Sequence, residues 1–224
     1  MSTVLHIASS PRRQRSASLE IAQAFISHYC QRYPATEVKT LDLWRMDLPE
    51  FDEDAMAAKY AGLSDTPLTE TQKSAWDGLR SLADHLHEAD ILIFSIPLWN
   101  FGIPYKLKHF IDLVSQKDIL FSFDAEEGFG GLLNNKKAVV VYARGLDYTA
   151  GSFTPAQEFD FQKPYFESWL KFVGVTDVSS VVVEKTLFGS DIDTESRRRA
   201  DREAQQIAAQ LAPPCSKQHT SSAI

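Results

Sequence analysis

Short apolar segments alternate along this chain with longer amphipathic ones. Residues 91–96 and 137–143 are nearly continuous apolar runs, which is typical of central strands in a parallel sheet. Residues 4–9 and 178–184 also predict strands. Residues 37–43 alternate apolar and polar side chains, so we expect that strand to have one less buried face, as at a sheet edge. The pattern therefore predicts five strands.

Helical spacing of apolar residues and helix boundary signals mark the segments between these strands. The predicted helices are residues 18–32, 69–88, 104–114, 164–173 and 195–211. Thr69 and Gln72 have the spacing of a capping box, Pro104 suits a first helical turn, and Gly174 suits a helix end. Residues 44–68 are rich in Asp and Pro, and we expect an irregular excursion there.

The order βαβαβαβαβα predicts an α/β fold, a doubly wound five-stranded parallel sheet with helices on both faces. We expect residues 1–212 to form a single domain and residues 213–224 to be a disordered tail. Such sheets bind ligands beyond the carboxyl ends of their strands, where the strand order reverses. The loops after the first, third and fourth strands are therefore the candidate site.

Composition and charge narrow the choice of partners. The net charge of −7 and the pI near 5.4 argue against nucleic acid. No apolar run approaches the roughly 18 residues that span a bilayer, and no signal peptide is evident, so we expect no membrane partner and a cytoplasmic location. Cys30 and Cys215 are too few for a disulfide framework or a zinc site, and the six histidines show no metal-ligand pattern.

The loop after the first strand, residues 9–18, reads SSPRRQRSAS and contains no glycine. It therefore has neither the dinucleotide fingerprint nor a Walker loop. Its hydroxyls come from Ser9, Ser10, Ser16 and Ser18. We expect Ser18 to cap the next helix, whose free N–H groups and dipole attract an anion, and a single terminal phosphate suits this loop better than a pyrophosphate. Alternatively, Ser18 is only a cap and the arginines are solvated.

The loop after the third strand combines aromatic and polar groups. Trp99 and Phe101 can press against a ring, and Asn100 can bind the polar edge of that ring. Gly102 permits a sharp reversal of the chain. The alternative is that the two aromatic side chains form a lid over the core.

The loop after the fourth strand begins with Arg144 and Gly145. Gly145 would allow a flat ligand to approach the backbone closely, and we expect Arg144 to be exposed as a structural or rim charge. A phosphate at one loop and a flat heteroaromatic ring between two others describe a mononucleotide. The aromatic wall favours a flavin over a nucleotide base.

The chain resembles the FMN-dependent NADH:quinone reductases known as azoreductases, within the flavodoxin-like superfamily. The likeness covers nearly the whole chain, and PLWNFGIP with the following Lys-Leu-Lys helix is its specific motif. The resemblance implies an FMN phosphate at Ser10, Ser16, Ala17 and Ser18. It implies that the flavin ring rests on Pro97, Leu98, Trp99, Asn100 and Phe101, and on Arg144 and Gly145. Leu146 departs from the second glycine that is frequent in the family.

The resemblance also implies an enzyme with one FMN per subunit, NADH or NADPH as donor, and quinones or azo compounds as acceptors. Electrons would pass two at a time in a ping-pong sequence. The cofactor carries this chemistry, so no catalytic side chain is expected beyond Asn100 as a donor to the ring edge. The alternative function is a non-enzymatic electron carrier of the flavodoxin type.

A homodimer with flavin sites near the interface is a further implication of the resemblance. Residues 119–133 suit that role because Phe121, Phe123 and Phe129 are apolar and three glycines would make the segment mobile. The alternative is a hairpin that packs its own phenylalanines inward.

Overall fold

The computed structural model describes residues 2–62 and 66–213. Its strands are β1 Thr3–Ala8, β2 Glu37–Asp42, β3 Ile91–Pro97, β4 Phe121–Asp124, β5 Gly128–Gly131, β6 Lys137–Ala143 and β7 Asp177–Val183. Five of them form one parallel sheet in the order β2-β1-β3-β6-β7, while β4 and β5 form a separate antiparallel hairpin. The predicted five-stranded parallel sheet is confirmed, and β2 lies at its edge.

All five predicted helices are present, with ends within five residues of the predicted ones, and two further α-helices in the described residues were not predicted. The helices are α1 Ala17–Arg32, α2 Glu53–Ala61, α3 Glu70–Glu88, α4 Tyr105–Val114, α5 Ala156–Phe159, α6 Gln162–Phe172 and α7 Ser190–Gln210. The capping box of Thr69 and Gln72 is present. The prediction that residues 44–68 are irregular is wrong in part, because they contain α2. Asp52 caps this helix by accepting a hydrogen bond from Ala55 N.

The alternating side chains of the central strands supply two cores, one on each face of the sheet. In β3, Ile91 and Ile93 pack with α1 and α7, and Leu92, Phe94 and Ile96 pack with α3, α4 and α6. All five are fully buried. Burial on both faces explains why this strand is an unbroken apolar run.

The strand order reverses at β1. The chain leaves β1 through α1 to β2 on one side of it, and later continues through β3 and β6 on the other. The crevice between the loops that follow β1 and β3 is therefore the switch point at which doubly wound sheets bind their ligands. At the base of this crevice, Ser9 links β1 to β3. The N–H and the hydroxyl of Ser9 both donate to Ser95 O, at 3.3 and 2.7 Å.

No helix in residues 2–62 or 66–213 is long and apolar enough to cross a membrane. Of the predicted disordered tail, residues 214–224 lie outside the described residues. The division into one domain and a tail stays a prediction.

Candidate flavin site at the carboxyl edge of the sheet

The loop after β1 ends in the N-terminus of α1. Ser16, not Ser18 as predicted, is the N-cap, because its hydroxyl accepts a hydrogen bond from Leu19 N and its backbone is extended. Ser18 is the second residue of α1, and its hydroxyl lies 3.2 Å from that of Ser16. The N–H groups of Ala17 and Ser18 have no acceptor within the described chain, so they are free for an anion.

Ser10 stands at the start of the same loop and is buried, as are Ser16 and Ser18. Its hydroxyl accepts a hydrogen bond from Arg12 N at 3.4 Å. Beneath the loop, His6 lies 3.0 Å from the Ser95 hydroxyl. Burial lowers the pKa of His6 to about 4, against the opposing effect of Asp42, so this ring is neutral at neutral pH. His6 therefore adds no positive charge beneath the loop after β1.

The loop after β3 is a tight turn with unusual backbone angles. Trp99 and Gly102 exchange two backbone hydrogen bonds, at 2.9 and 3.0 Å, while Asn100 and Phe101 have positive φ values of 47° and 68°. Asn tolerates this left-handed conformation, whereas Phe adopts it rarely. Strain of this kind is concentrated at functional sites. The N–H groups of Asn100 and Phe101 make no hydrogen bond within the described part of the chain, so both are available to a ring edge.

The loops after β1 and β3 are joined by a tryptophan that the sequence did not single out. Trp44 donates from Nε1 to Ser9 O at 3.0 Å, and its ring lies 5.6 Å from Trp99 and 5.3 Å from Tyr105. Trp99 therefore belongs to a cluster of three aromatic side chains that holds the turn in place. Phe101 is 44% exposed and packs on Phe159 instead.

Arg144 is buried, and the expectation that it is exposed is wrong. Only 4% of its side chain is accessible, and its guanidinium bonds to Asp160 at 2.5 Å and to Glu184 at 3.2 Å. It also lies over the Tyr148 ring, 5.0 Å from the centroid. Two carboxylates and a ring surround the charge, so Nη1 and Nη2 of Arg144 are paired with protein groups, while its buried Nε has no hydrogen-bond partner in the described residues.

Asp160 connects this ion pair to the turn after β3. Its second carboxylate oxygen accepts hydrogen bonds from Gln162 N and Lys163 N at the start of α6. Gln162 in turn donates to Ile96 O at 3.0 Å, and Phe161 N donates to Phe101 O at 2.9 Å. The start of α6 therefore holds the strained turn in position.

The loop after β6 is paired with the loop after β7. Leu146 O accepts from Lys185 N and Gly145 O accepts from Leu187 N, and Lys185 forms an ion pair with Asp147 at 2.7 Å. The hydrogen bond from Lys185 lowers the pKa of Asp147 to about 2. Gly145 leaves space for the Leu187 side chain, because a Cβ at position 145 would lie only 2.7 Å from Leu187 Cδ1. Leu146 is 40% exposed beside this paired segment.

The predicted mobile segment is a hairpin fixed at its base. Gly131 packs against backbone, since a Cβ there would come within 2.2 Å of Gly174 N, and Leu133 N donates to Val173 O. Gly131 therefore allows the two backbones to approach closely, and the mobility of the segment stays a prediction. Phe121 packs on Phe172, while Phe123 and Phe129 remain 51% and 64% exposed.

The residues that the sequence assigned to the site are distributed over three neighbouring loops. Pro97 pairs with Ala143 in the sheet, and Leu98 N donates to Ala143 O, so the turn after β3 adjoins the loop that begins at Arg144. No group of three or more potential metal ligands occurs in the described ranges. Free helix N–H groups at one loop and free turn N–H groups at the next fit the phosphate and the ring edge of FMN.

Known proteins resemble the chain along nearly its full length. Residues 2–208 match the family model described as a flavodoxin-like fold. FMN-dependent NADH:quinone oxidoreductase 3 of Pseudomonas fluorescens is 59% identical over 95% of this chain and 98% of its own, and FMN-dependent NADH:quinone oxidoreductase 9 of Burkholderia lata is 56% identical over 93% and 99%. The crystal structure of an azoreductase from Bacillus anthracis str. Sterne superposes with a TM-score of 0.84 at 29% identity, covering 94% of this chain and all of that one.

The sheet order and the open helix N-terminus at its switch point define a flavodoxin-like protein. The chain belongs to the family of FMN-dependent NADH:quinone oxidoreductases.

Proposed function

We propose that this protein is an FMN-dependent oxidoreductase that uses a reduced nicotinamide to reduce quinones and azo compounds. The observation that carries the proposal is the juxtaposition of two sets of unpaired N–H groups, at the start of α1 and in the turn after β3. One set suits a phosphate and the other the polar edge of a flat ring. The names of the curated relatives support the same activity.

The phosphate of FMN would be held by α1 and its cap. The N–H groups of Ala17 and Ser18 point out of the helix end, where the helix dipole favours negative charge. The hydroxyls of Ser10, Ser16 and Ser18 add donors that can reorient toward phosphate oxygens. The short loop has no glycine-rich segment for a pyrophosphate, which favours FMN over FAD.

The ring of FMN would lie against the turn of residues 97–102 and the loop that begins at Arg144 and Gly145. Bound FMN supplies the two-electron chemistry, and the protein orients the rings and excludes water. The N–H groups of Asn100 and Phe101, with the Asn100 amide, would donate to the ring edge where negative charge develops on reduction. No side chain is assigned as acid, base or nucleophile.

One exposed face beside Trp99 and Phe101 would serve both substrates in turn. Nicotinamide and acceptor are both planar, and each must stack on the same ring to exchange electrons with it. The donor product must therefore leave before the acceptor enters, which is a ping-pong sequence. A carrier of the flavodoxin type needs no such substrate position, and the relatives are named as oxidoreductases.

The active form would be a homodimer in which the hairpin of β4 and β5 reaches the partner's site. Support comes from Phe123 and Phe129, which stay exposed on the hairpin and, with Trp76 and Leu68, line a groove of about 740 Å³. Exposed aromatic groups of this kind mark interaction surfaces. A cytoplasmic location is also proposed, and the free thiol of Cys30 is compatible with a reducing compartment.

The test is the visible spectrum of the purified protein, followed by identification of the released cofactor and a steady-state assay with NADH and a simple quinone. We expect a yellow protein with one FMN per chain and quinone-dependent NADH oxidation. Bound flavin without quinone turnover would instead favour the carrier. A colourless protein that fails to bind added FMN would refute both.

A further inference from the structure

A groove of about 1080 Å³ lies on the far side of the phosphate loop, between α1 and the edge strand β2. Four arginines line it: Arg12, Arg13, Arg15 and Arg45. Its volume is slightly above the usual range for small-molecule sites, roughly 300–1,000 Å³. None of these arginine side chains takes part in the flavin site described above, in which only the backbone N–H of Arg12 is involved.

The groove is electropositive although the chain has a net charge of −7. Its acidic side chains are already paired, since Glu20 bonds to Arg197 and Asp42 lies 3.6 Å from Arg45. Arg12, Arg13 and Arg15 are exposed and have no ion-pair partner in residues 2–62 or 66–213. Three like charges so close together repel one another, and an anion would relieve that repulsion.

The backbone holds these arginines in a defined turn. Arg15 N donates to Arg12 O and Ser16 N donates to Arg13 O, at 3.1 and 2.9 Å. Arg13 has a φ of 50°, a left-handed conformation that non-glycine residues adopt at some cost. The turn leads directly into Ser16, the cap of α1. The backbone from which the three exposed side chains extend is therefore fixed beside Ser16.

The groove is within reach of a molecule whose ring lies on the turn after β3. Neighbouring strands are about 4.8 Å apart, so β2 lies roughly 10 Å from β3, with β1 between them. A dinucleotide has two sugars and a diphosphate between its rings and can span that distance. Its phosphates would then pass over the arginine turn.

We propose that Arg12, Arg13, Arg15 and Arg45 bind the phosphate groups on the adenosine side of the nicotinamide donor, and that the 2′-phosphate makes NADPH the preferred donor. The inference rests on the proposed function, because it assumes a nicotinamide donor at the flavin. Guanidinium groups bind phosphate through paired N–H donors, and an arginine commonly accommodates the 2′-phosphate of NADP. NADPH brings one more phosphate than NADH to the same cluster.

The first test measures binding without turnover. Adenosine 2′,5′-bisphosphate and AMP are titrated separately into the FMN-loaded protein by calorimetry, at low and high salt. We expect the bisphosphate to bind more tightly and to weaken as salt screens the arginines. The variant R12Q/R13Q/R15Q should bind the bisphosphate at least about tenfold more weakly, because hydrogen bonds to charged groups are strong. The control R198Q/R199Q/R202Q removes the same charge from α7 and should leave binding unchanged.

The second test compares kcat/KM for NADPH and NADH in the same proteins. We expect the wild type to favour NADPH and the arginine-loop variant to lose that preference, mainly through KM for NADPH. An unchanged preference, or equal bisphosphate binding in both variants, would overturn the inference. So would a fall in FMN affinity with the donor preference intact, because the arginines would then serve the FMN phosphate. Absence of turnover with either donor would refute the proposed function instead, and the calorimetric result would still stand by itself.

Discussion

Arg144 and Asp160 form a buried ion pair, with Nη2 and Oδ2 2.5 Å apart and both side chains less than 10% exposed. Replacing Arg144 with Met would keep much of its volume but leave Asp160 and Glu184 without their countercharge. We expect this variant to lose about 3–5 kcal/mol of unfolding free energy, measured by urea denaturation. The matched control is Lys108→Met, which removes an exposed ion pair with Asp112 and should cost less than about 1 kcal/mol. Equal losses in the two variants would show that the Arg144 pair has no special structural role.

The phosphate assignment is tested by Ser16→Ala combined with Ser18→Ala. Each lost hydrogen bond to a charged group is worth roughly 1.5–3 kcal/mol, so FMN affinity should fall at least about tenfold. Flavin fluorescence quenching during titration of the apoprotein measures it. Ser74→Ala with Ser81→Ala, at exposed positions of α3, is the control for the loss of two hydroxyls. Because Ser16 also caps α1, titrations are made where circular dichroism shows all variants folded, and an undiminished affinity there would exclude the serines as phosphate ligands.

The turn after β3 is tested through Asn100, whose φ of 47° complicates a simple truncation. Asn100→Ala removes the amide and adds backbone strain, whereas Asn100→Gly removes the amide and relieves strain. If the amide donates to the ring edge, both variants should slow flavin reduction by up to about 10²-fold while FMN affinity changes less. Stopped-flow absorbance measures the rate. Slow reduction in the alanine variant alone would assign the effect to the backbone.

A single substrate position predicts parallel lines in double-reciprocal plots of quinone reduction at several donor concentrations. The slope should stay constant because the donor product leaves before the quinone enters. Product inhibition patterns provide the control for a hidden ternary complex. Intersecting lines would mean that the acceptor binds at a separate place, and the shared position beside Trp99 would have to be abandoned.

His6 predicts a loss of stability in weak acid. Its pKa is lowered from 6.5 to about 4 in the folded chain, so between these pH values the unfolded state binds more protons. Folding stability should therefore fall as pH drops from 6.5 to about 4, by about 3 kcal/mol in total, and His6 adds no further loss below that range. Urea denaturation across this range should show a smaller loss in His6→Gln than in the wild type. The control for loss of a histidine is His109→Gln, at a partly exposed position of α4.

The dimer is tested with Phe123→Ser and Phe129→Ser together. Burying a phenylalanine contributes about 1.5–3 kcal/mol, so losing two on each subunit should raise the dissociation constant by more than about 100-fold. Sedimentation equilibrium measures it. Phe153→Ser is the control, since that side chain is fully exposed and lies outside the hairpin. A wild-type monomer with full activity would contradict the proposed assembly.

The sheet could be predicted because burial on both faces leaves a local signature in the sequence. The contact of Trp44 with Trp99 could not, since it joins residues 55 positions apart through tertiary packing alone. Arg144 illustrates the same limit: its burial depends on Asp160 and Glu184, which are 16 and 40 residues away in the chain. The predicted N-cap was two residues too late because serine is a favourable cap at either position 16 or 18. Only the backbone geometry shows that Ser16 is the cap.

The backbone contact between Gly131 and Gly174 makes α6 a rigid connection between the β4–β5 hairpin and the turn after β3. One end of this 11-residue helix meets the base of the hairpin. The other end meets the turn of Asn100 and Phe101 through Phe161, and strand β3 through Gln162. At 1.5 Å per residue the helix spans about 16 Å, and that length sets the spacing between hairpin and turn. Inserting one residue into α6 would rotate one anchorage by about 100° relative to the other. Surface loops commonly tolerate insertions and deletions. Between Gln162 and Phe172, such a change would instead misalign the two ends of α6 relative to each other.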